Sequence, residues 1–305
     1  MKKVLLVFFL FYSIALYSQE KKQVNLIANK DWKIDYKYDF YKKRKQVLLI
    51  TESSLFTTSL IGLNYLWYQD YPRSNFHFIN DNNEWLQMDK IGHMASSYYT
   101  GVVGIEVYKW AGFSNNYAIW YGGLTGTFFL SIVEILDGYS QEWGASIGDM
   151  FANVSGSLLA ISQELLWNEQ KIQAKFSYSR SPWSYNNPDQ LGSNNIERIL
   201  KDYNGQTYWI SFNIKSLLNI ELDNFPTWLS LSLGYGAEAM ISPYQIDDQE
   251  ERYRQYLLSF DVDLNKIKTK YKYLNNILHT FGFIKFPAPA LEYSKNKFHL
   301  HSIYY

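Results

Sequence analysis

Four proline-free segments, each longer than twenty residues and rich in apolar side chains, constrain this chain most: Gln46 to Tyr68, Asp89 to Trp110, Tyr117 to Asp137 and Ala145 to Trp167. Each is long enough for five or six helical turns. Small residues recur along them at a spacing of four. The last carries Gly148, Ala152, Gly156 and Ala160, the second Gly92, Ser96, Thr100 and Gly104, and the third Gly122 and Gly126. Residues four apart share a helix face, and small ones let backbones approach closely, as helices do in lipid. Aromatics near the ends (Trp67, Trp110, Trp120, Trp143, Trp167) resemble an interfacial belt. Short links at Ala111–Asn116 and Gly138–Gly144 make the last three segments antiparallel neighbours.

The N-terminus adds a location. Lys2 and Lys3 precede an apolar run from Val4 to Phe11, and charges resume at Glu20, the layout of a secretory signal peptide over residues 1–18. A polar, basic lead segment follows over 19–45, ending in Lys42-Lys43-Arg44-Lys45. In an antiparallel bundle these lysines share a side with Lys109, Lys171 and Lys175. Asp70, Asp81, Glu84, Asp89 and Glu142 sit on the other. With a cleaved signal the basic side lies outside the cytoplasm, which runs against insertion as four inner-membrane spans. Glu52, His93 and Glu106 within the segments would also be costly against lipid. Lys and Arg together equal Asp and Glu, 29 against 29, so there is no basic excess for nucleic acid. With no cysteine, thiol nucleophiles, thiolate metal sites and cysteine-linked lipid anchors are excluded.

Beyond 170 the period changes. Residues 171–206 read as a turn-rich connector, and 207–305 as an antiparallel β-rich region. Tyr208, Ile210 and Phe212 alternate with Ser211 and Asn213, Leu229 to Tyr235 with Ser230, Ser232 and Gly234, and Tyr256 to Leu264 with Ser259, Asp261 and Asp263. The tail Phe298 to Tyr305 is a fourth strand, and a helix is expected around Lys268 to Phe281. Four strands fall short of the roughly eight that a small membrane barrel needs. The fold expected is therefore α+β, a four-helix membrane-like bundle (46–170) followed by a smaller antiparallel β-rich region.

The chemistry-bearing residues cluster by topology. Asp89 and His93 open the second segment, Glu134 and Asp137 close the third, and Asp149 and Asn153 open the fourth, so all fall at one end of the bundle. Such a group admits three readings. His93, Glu134 and Asp149 could ligate a divalent cation, the one cofactor suggested. The same three could work as catalytic acid–base groups, with Asp89, Lys90 and Asn153 in binding roles. The third reading is a satisfied network that pins the helices in register. His77 reads as a surface histidine, His299 and His301 as a solvated strand face, and Glu197, Arg198 and the Asn204-Gly205 turn as a rim. No phosphate loop, nucleophile elbow or His-Glu-x-x-His motif is present.

On Asp89-Lys90-x-x-His93, Glu134 and Asp149-x-x-x-Asn153-x-x-Gly156, the chain resembles the YfiM-like family of predicted periplasmic lipoproteins, a domain of unknown function, over about residues 45 to 170. More distantly it is similar to VanZ-like membrane proteins. It departs from the first in lacking a lipobox cysteine, and from the second in having no arginine between Gln141 and Gly148. The resemblance implies an exported, periplasm-facing envelope protein. The role expected is structural or binding, with membrane lipid or an envelope component as partner. The alternative is an enzyme acting on envelope lipid or glycan.

Overall fold

A computed structural model describes residues 30–69, 71–247 and 249–305. The expected signal peptide, the lead segment up to residue 29, and Asp70 lie outside the described residues. The first helix, α1 (Lys30–Leu63, continued by a wider turn over Asn64–Tyr68), begins within the stretch read as a polar lead. It is followed by α2 (Met88–Trp110), α3 (Thr125–Gly138, entered through a helical stretch from Asn115) and α4 (Ile147–Trp167).

The bundle's core is α2, α3 and α4, with α1 along its outside. Small residues explain the core. A Cβ on Gly156 would overlap the Met94 carbonyl, and one on Gly104 would overlap the backbone of Gly122, so these helices touch main chain to main chain. Tyr98, Ile105, Ile119, Ala160 and Ile161 fill the remaining space. The first helix contributes edge contacts instead: Phe56 against Phe128 and Phe129, and Glu52 accepting from the Tyr108 hydroxyl at 3.1 Å. Its Leu49 and Ile50 are two-thirds exposed. The expected four-helix packing thus reduces to three helices and an attached fourth: α1 meets its neighbours through side chains, without the backbone contact that joins the other three. Phe40–Leu63 and Asn115–Gly138 are long and apolar enough to cross a membrane.

A two-stranded parallel pair, β1 (Phe78–Ile79) with β2 (Ala145–Ser146), ties the loop before α2 to the start of α4. The large sheet has six antiparallel strands in sequential order: β3 (Ile172–Tyr178), β4 (Gln206–Asn213), β5 (Leu229–Glu238), β6 (Tyr253–Val262), β7 (Ala288–Ser294) and β8 (Lys297–Tyr304). Two strands escaped the sequence reading. The first, β3, lies in the stretch read as connector, and β7 is masked by Pro287 and Pro289. Short helices flank the sheet, among them α5 (Asn195–Lys201) and α6 (Lys272–Thr280), the latter shorter than expected.

The chain enters α2 through three consecutive left-handed residues, Trp85, Leu86 and Gln87, with φ of 46°, 50° and 66°. Each is a costly conformation for an L side chain. The sheet holds them there. Tyr235 Oη donates to the Leu86 carbonyl at 2.6 Å, and Arg254 Nη2 donates to Gln87 Oε1 at 2.7 Å. The Trp85 amide reaches the Pro243 carbonyl at 2.9 Å. The end of the sheet thereby fixes the first turn of α2.

Candidate functional site

That first turn carries Asp89, Lys90 and His93, and opposite it stands the start of α4. Ser146 caps α4, its Oγ accepting from the Asp149 amide at 3.1 Å and donating to Asp81 Oδ1 at 2.6 Å. Lys90 bridges the two acids, 2.7 Å from Asp81 and 3.1 Å from Asp149. Glu134, at the end of α3, accepts the Ser146 amide at 3.0 Å. His93 lies in the middle. Its Nδ1 is 3.0 Å from Asn153 Oδ1 and 3.7 Å from Glu134, and its Nε2 is 3.8 Å from Asp89.

All six residues proposed from the sequence therefore meet: Asp89, Lys90, His93, Glu134, Asp149 and Asn153. Asp137 is near enough to feel the charges of Glu134, His93 and Asp89, and it accepts from the Tyr68 hydroxyl at 2.6 Å. The sequence reading missed Asp81, Ser146 and Tyr203. Tyr203 Oη donates to Asp89 Oδ1 at 2.7 Å from a turn 114 residues away. Its signal was the Asn204-Gly205 turn, read as a rim. The polar loop Asn80-Asp81-Asn82-Asn83 signalled the second acid. Glu197 instead caps its own helix through Ser193 and Asn194. His301 is 2.7 Å from the buried Glu292, so it belongs to the interior of the sheet.

The electrostatics follow from enclosure. Burial, and then the nearby Asp89 carboxylate, push the Asp149 carboxyl up to about 8. Burial likewise opposes ionisation of Asp81, yet hydrogen bonds from Lys90 and Ser146 hold that acid below its ordinary value. Burial also works against a charged His93, but the carboxylates of Asp89, Asp149 and Glu134 outweigh it and hold the imidazole above the usual histidine range. Asp81 and Asp149 share Lys90 and retain one acidic proton near neutrality.

Ligand atoms of Asp89, His93 and Asp149 lie within 4.8 Å of one another, a spacing that could hold a divalent ion. The expected third ligand, Glu134, is engaged by the Ser146 amide, and Asp89 takes its place in this trio. The Lys90 ammonium already neutralises part of the charge that would draw a cation. Among the described residues, the Asn153 side-chain nitrogen is buried without a partner.

Asp89 and His93 are also on the wall of a cavity of about 550 Å³ between α1, α2, α3, β3 and α5. The remaining wall is largely apolar, formed by Leu63, Tyr99, Val103, Phe129, Ile199 and Phe283 among others. The network is thus sealed on the side of Asp81, Lys90 and Asp149 and open on the side of Asp89 and His93.

Residues 77–164 match a family described as predicted periplasmic lipoprotein (DUF2279). The match covers less than a third of the chain, from just before β1 into the last turns of α4, and holds every member of the cluster except Tyr203. The description fits an exported envelope protein, although these 305 residues contain no cysteine to carry a lipid. No curated protein and no solved structure matches.

Proposed function

We propose that this is an exported, periplasm-facing and membrane-associated envelope protein that binds an amphipathic lipid. The acyl chain occupies the apolar cavity, and Asp89 and His93 meet the polar end. One observation carries the reading: a cavity large enough for a ligand, apolar over most of its wall, with Asp89 and His93 together on that wall. The sealed half of the network then acts as a frame, with Lys90, Asp149 and Ser146 keeping α2 and α4 in register. YfiM-like and VanZ-like resemblances agree with an envelope location and add no reaction.

A second reading has a specific observation behind it. His93 stands between Asn153 and three carboxyl groups at the cavity wall, an arrangement suited to an acid–base group acting on a lipid ester or glycan bond. Mass spectrometry of lipid co-purified with the full chain separates these possibilities. Bound lipid is expected, and it should be lost when Val103→Trp fills the cavity. Under the binding reading His93→Ala should retain less lipid, because His93 meets its polar end. Turnover of that lipid by the unmodified protein, abolished in His93→Ala, would establish the enzyme instead. Lipid-free protein that takes up no added phospholipid would overturn both.

A further inference from the structure

In a water-soluble sheet with one covered face, that face is apolar and the open one polar. Here the two are exchanged. Ser232, Asp261 and Lys175 point inward and are at most 1% exposed, whereas Leu233, Phe260 and Leu300 point outward at 52%, 57% and 81%. Most of the interior is paired by polar contacts, the Ser232 hydroxyl being an exception: Lys175 on Asp261 at 2.7 Å, Ser211 Oγ donating to Asp261 at 2.7 Å, and Trp209 Nε1 donating to Ser177 Oγ at 2.9 Å.

Register arranges the outer face in rows. Phe176, Tyr208, Tyr235, Tyr256, Tyr293 and Phe298 are paired neighbours, one aromatic on each of six strands. The next outward row is Ala174, Ile210, Leu233, Leu258, Leu291 and Leu300. Beyond it come Phe212, Leu231 and Phe260. None of these positions is charged. The first outward charge, Arg254, comes one row past the tyrosines.

The sheet is curled. Thr207 on β4 and Tyr304 on β8 have their hydroxyls 3.1 Å apart, although strands four positions apart in a flat sheet would be separated by about 19 Å. At the other edge, Phe176 of β3 exchanges backbone hydrogen bonds with Phe283 and Lys285 at 2.8 and 2.9 Å. The apolar face is therefore convex, wrapping a packed polar interior, as in membrane barrels. The strands β5 and β6 have 10 residues each, within the roughly 9–11 that a tilted strand needs to cross a bilayer.

We propose that the convex face of β5 to β8 is seated in the hydrocarbon of a lipid bilayer, with the tyrosine row at headgroup level. Helices cover the Phe176 and Tyr208 end of the rows and the Leu86 carbonyl takes the Tyr235 hydroxyl, which leaves the aliphatic positions of these four strands open, together with Tyr256, Tyr293 and Phe298. A second copy would meet the curved face along only part of its circumference. The aromatic row next to an aliphatic one matches the layered polarity of a membrane, which a protein partner does not require. This inference stands on the sheet and is independent of the cavity.

The absence of cysteine makes a direct test practical. Single nitroxide labels are placed through Leu233→Cys, Leu258→Cys and Tyr256→Cys on the outer face, Ser232→Cys inside, and Leu222→Cys in an exposed loop. The full chain is reconstituted in phosphatidylcholine vesicles, and collisions with oxygen and with a water-soluble nickel chelate are compared. The protein should float with the vesicles. Labels at 233 and 258 should favour oxygen several-fold over the loop label, with 256 between them. Outer labels meeting nickel as freely as the loop label, or protein left behind on flotation, would overturn the proposal. So would outer labels shielded from both reagents with spin broadening that disappears on dilution, since that marks a second copy. The unmodified chain supplies a control independent of labelling: a photoactivated acyl-chain lipid should form adducts within residues 229–235 and 256–262. Adducts confined to the helices would count against the proposal.

Discussion

The bundle and the sheet both leave large apolar side chains on the surface, and they reach that state by different routes. In the bundle, glycine, alanine and serine occupy the contacts between α2, α3 and α4, and bulk is displaced outward: Phe128, Phe151 and Leu166 are 60%, 70% and 71% exposed. Its acids and histidine around Lys90 are gathered at one end. In the sheet, a polar residue sits inside at nearly every second position, and the apolar partner faces out. The bundle therefore depends on close backbone approach, which tolerates no added atoms. The sheet depends on paired polar groups, which tolerate no unpaired charge. The difference also bears on where a candidate site forms. In the bundle, Asp89 and His93 share one cavity wall and the clustered groups shift one another's ionisation, whereas the charged groups inside the sheet, Lys175, Lys285 and Asp261, are buried away from solvent.

Perturbations should therefore act differently on the two regions, and pH should act most strongly on the bundle. The folded Asp149 holds its proton up to about pH 8, while the unfolded chain releases it in the ordinary carboxylate range. The native state thus binds more protons over that interval. Its stability is fully present below the unfolded pKa and declines as pH rises through about 8, with a limiting slope of about 1.4 kcal/mol per pH unit for one proton. His93 has the same sign, its raised pKa being lost as pH climbs past the histidine range. Urea titrations at pH 6 to 9 should show the decline, and Asp149→Asn should flatten it. An unchanged slope would mean that Asp149 is not the group concerned.

The next effect belongs to the sheet. Lys175→Met leaves Asp261 with a weaker neighbour, Lys285 at 3.9 Å, and removes a fully buried partner. Breaking such a pair costs about 3–5 kcal/mol. Denaturant midpoints should fall accordingly, whereas a neutral result would place water in the interior. Gly156→Val tests the bundle in the same way. Its side chain meets the Met94 carbonyl, and overpacking at such a contact costs about 1–3 kcal/mol, read as a loss of thermal stability.

The bundle was more legible in the sequence than the sheet. Small residues four apart marked the close contacts among α2, α3 and α4, and acids and histidine at the ends of three segments marked the polar cluster. Both depend on local spacing. Which face of each strand is buried does not, because alternation at Leu229 to Tyr235 looks the same with either face inside. Only register and curling decide it. The outer helix, α1, was misjudged for a related reason: its apolar content matched that of its neighbours, and its Ser54, Thr58 and Gly62 repeat their small-residue spacing without making a backbone contact. Tyr203 was hidden by distance, since a turn reveals its shape and not what its side chain will reach.

The smallest expected effect falls where the two ends of the bundle network meet. Ser146 satisfies an otherwise free amide at the start of α4 and also donates to Asp81. Ser146→Ala removes both bonds but leaves the Ser146-position amide on Glu134 intact, because that bond is made by backbone. Loss of an N-cap of this kind costs about 1 kcal/mol. If the cap is the whole role, Ser146→Asn should restore stability, since asparagine caps as well. If the Asp81 contact matters too, Ser146→Asn should recover only part of the loss. The pH slope should then also change, because Asp81 would lose a hydrogen bond that keeps it ionised beside Asp149. Thermal melts of the two variants at two pH values separate a helix end that is merely capped from one whose cap is wired into the acid pair.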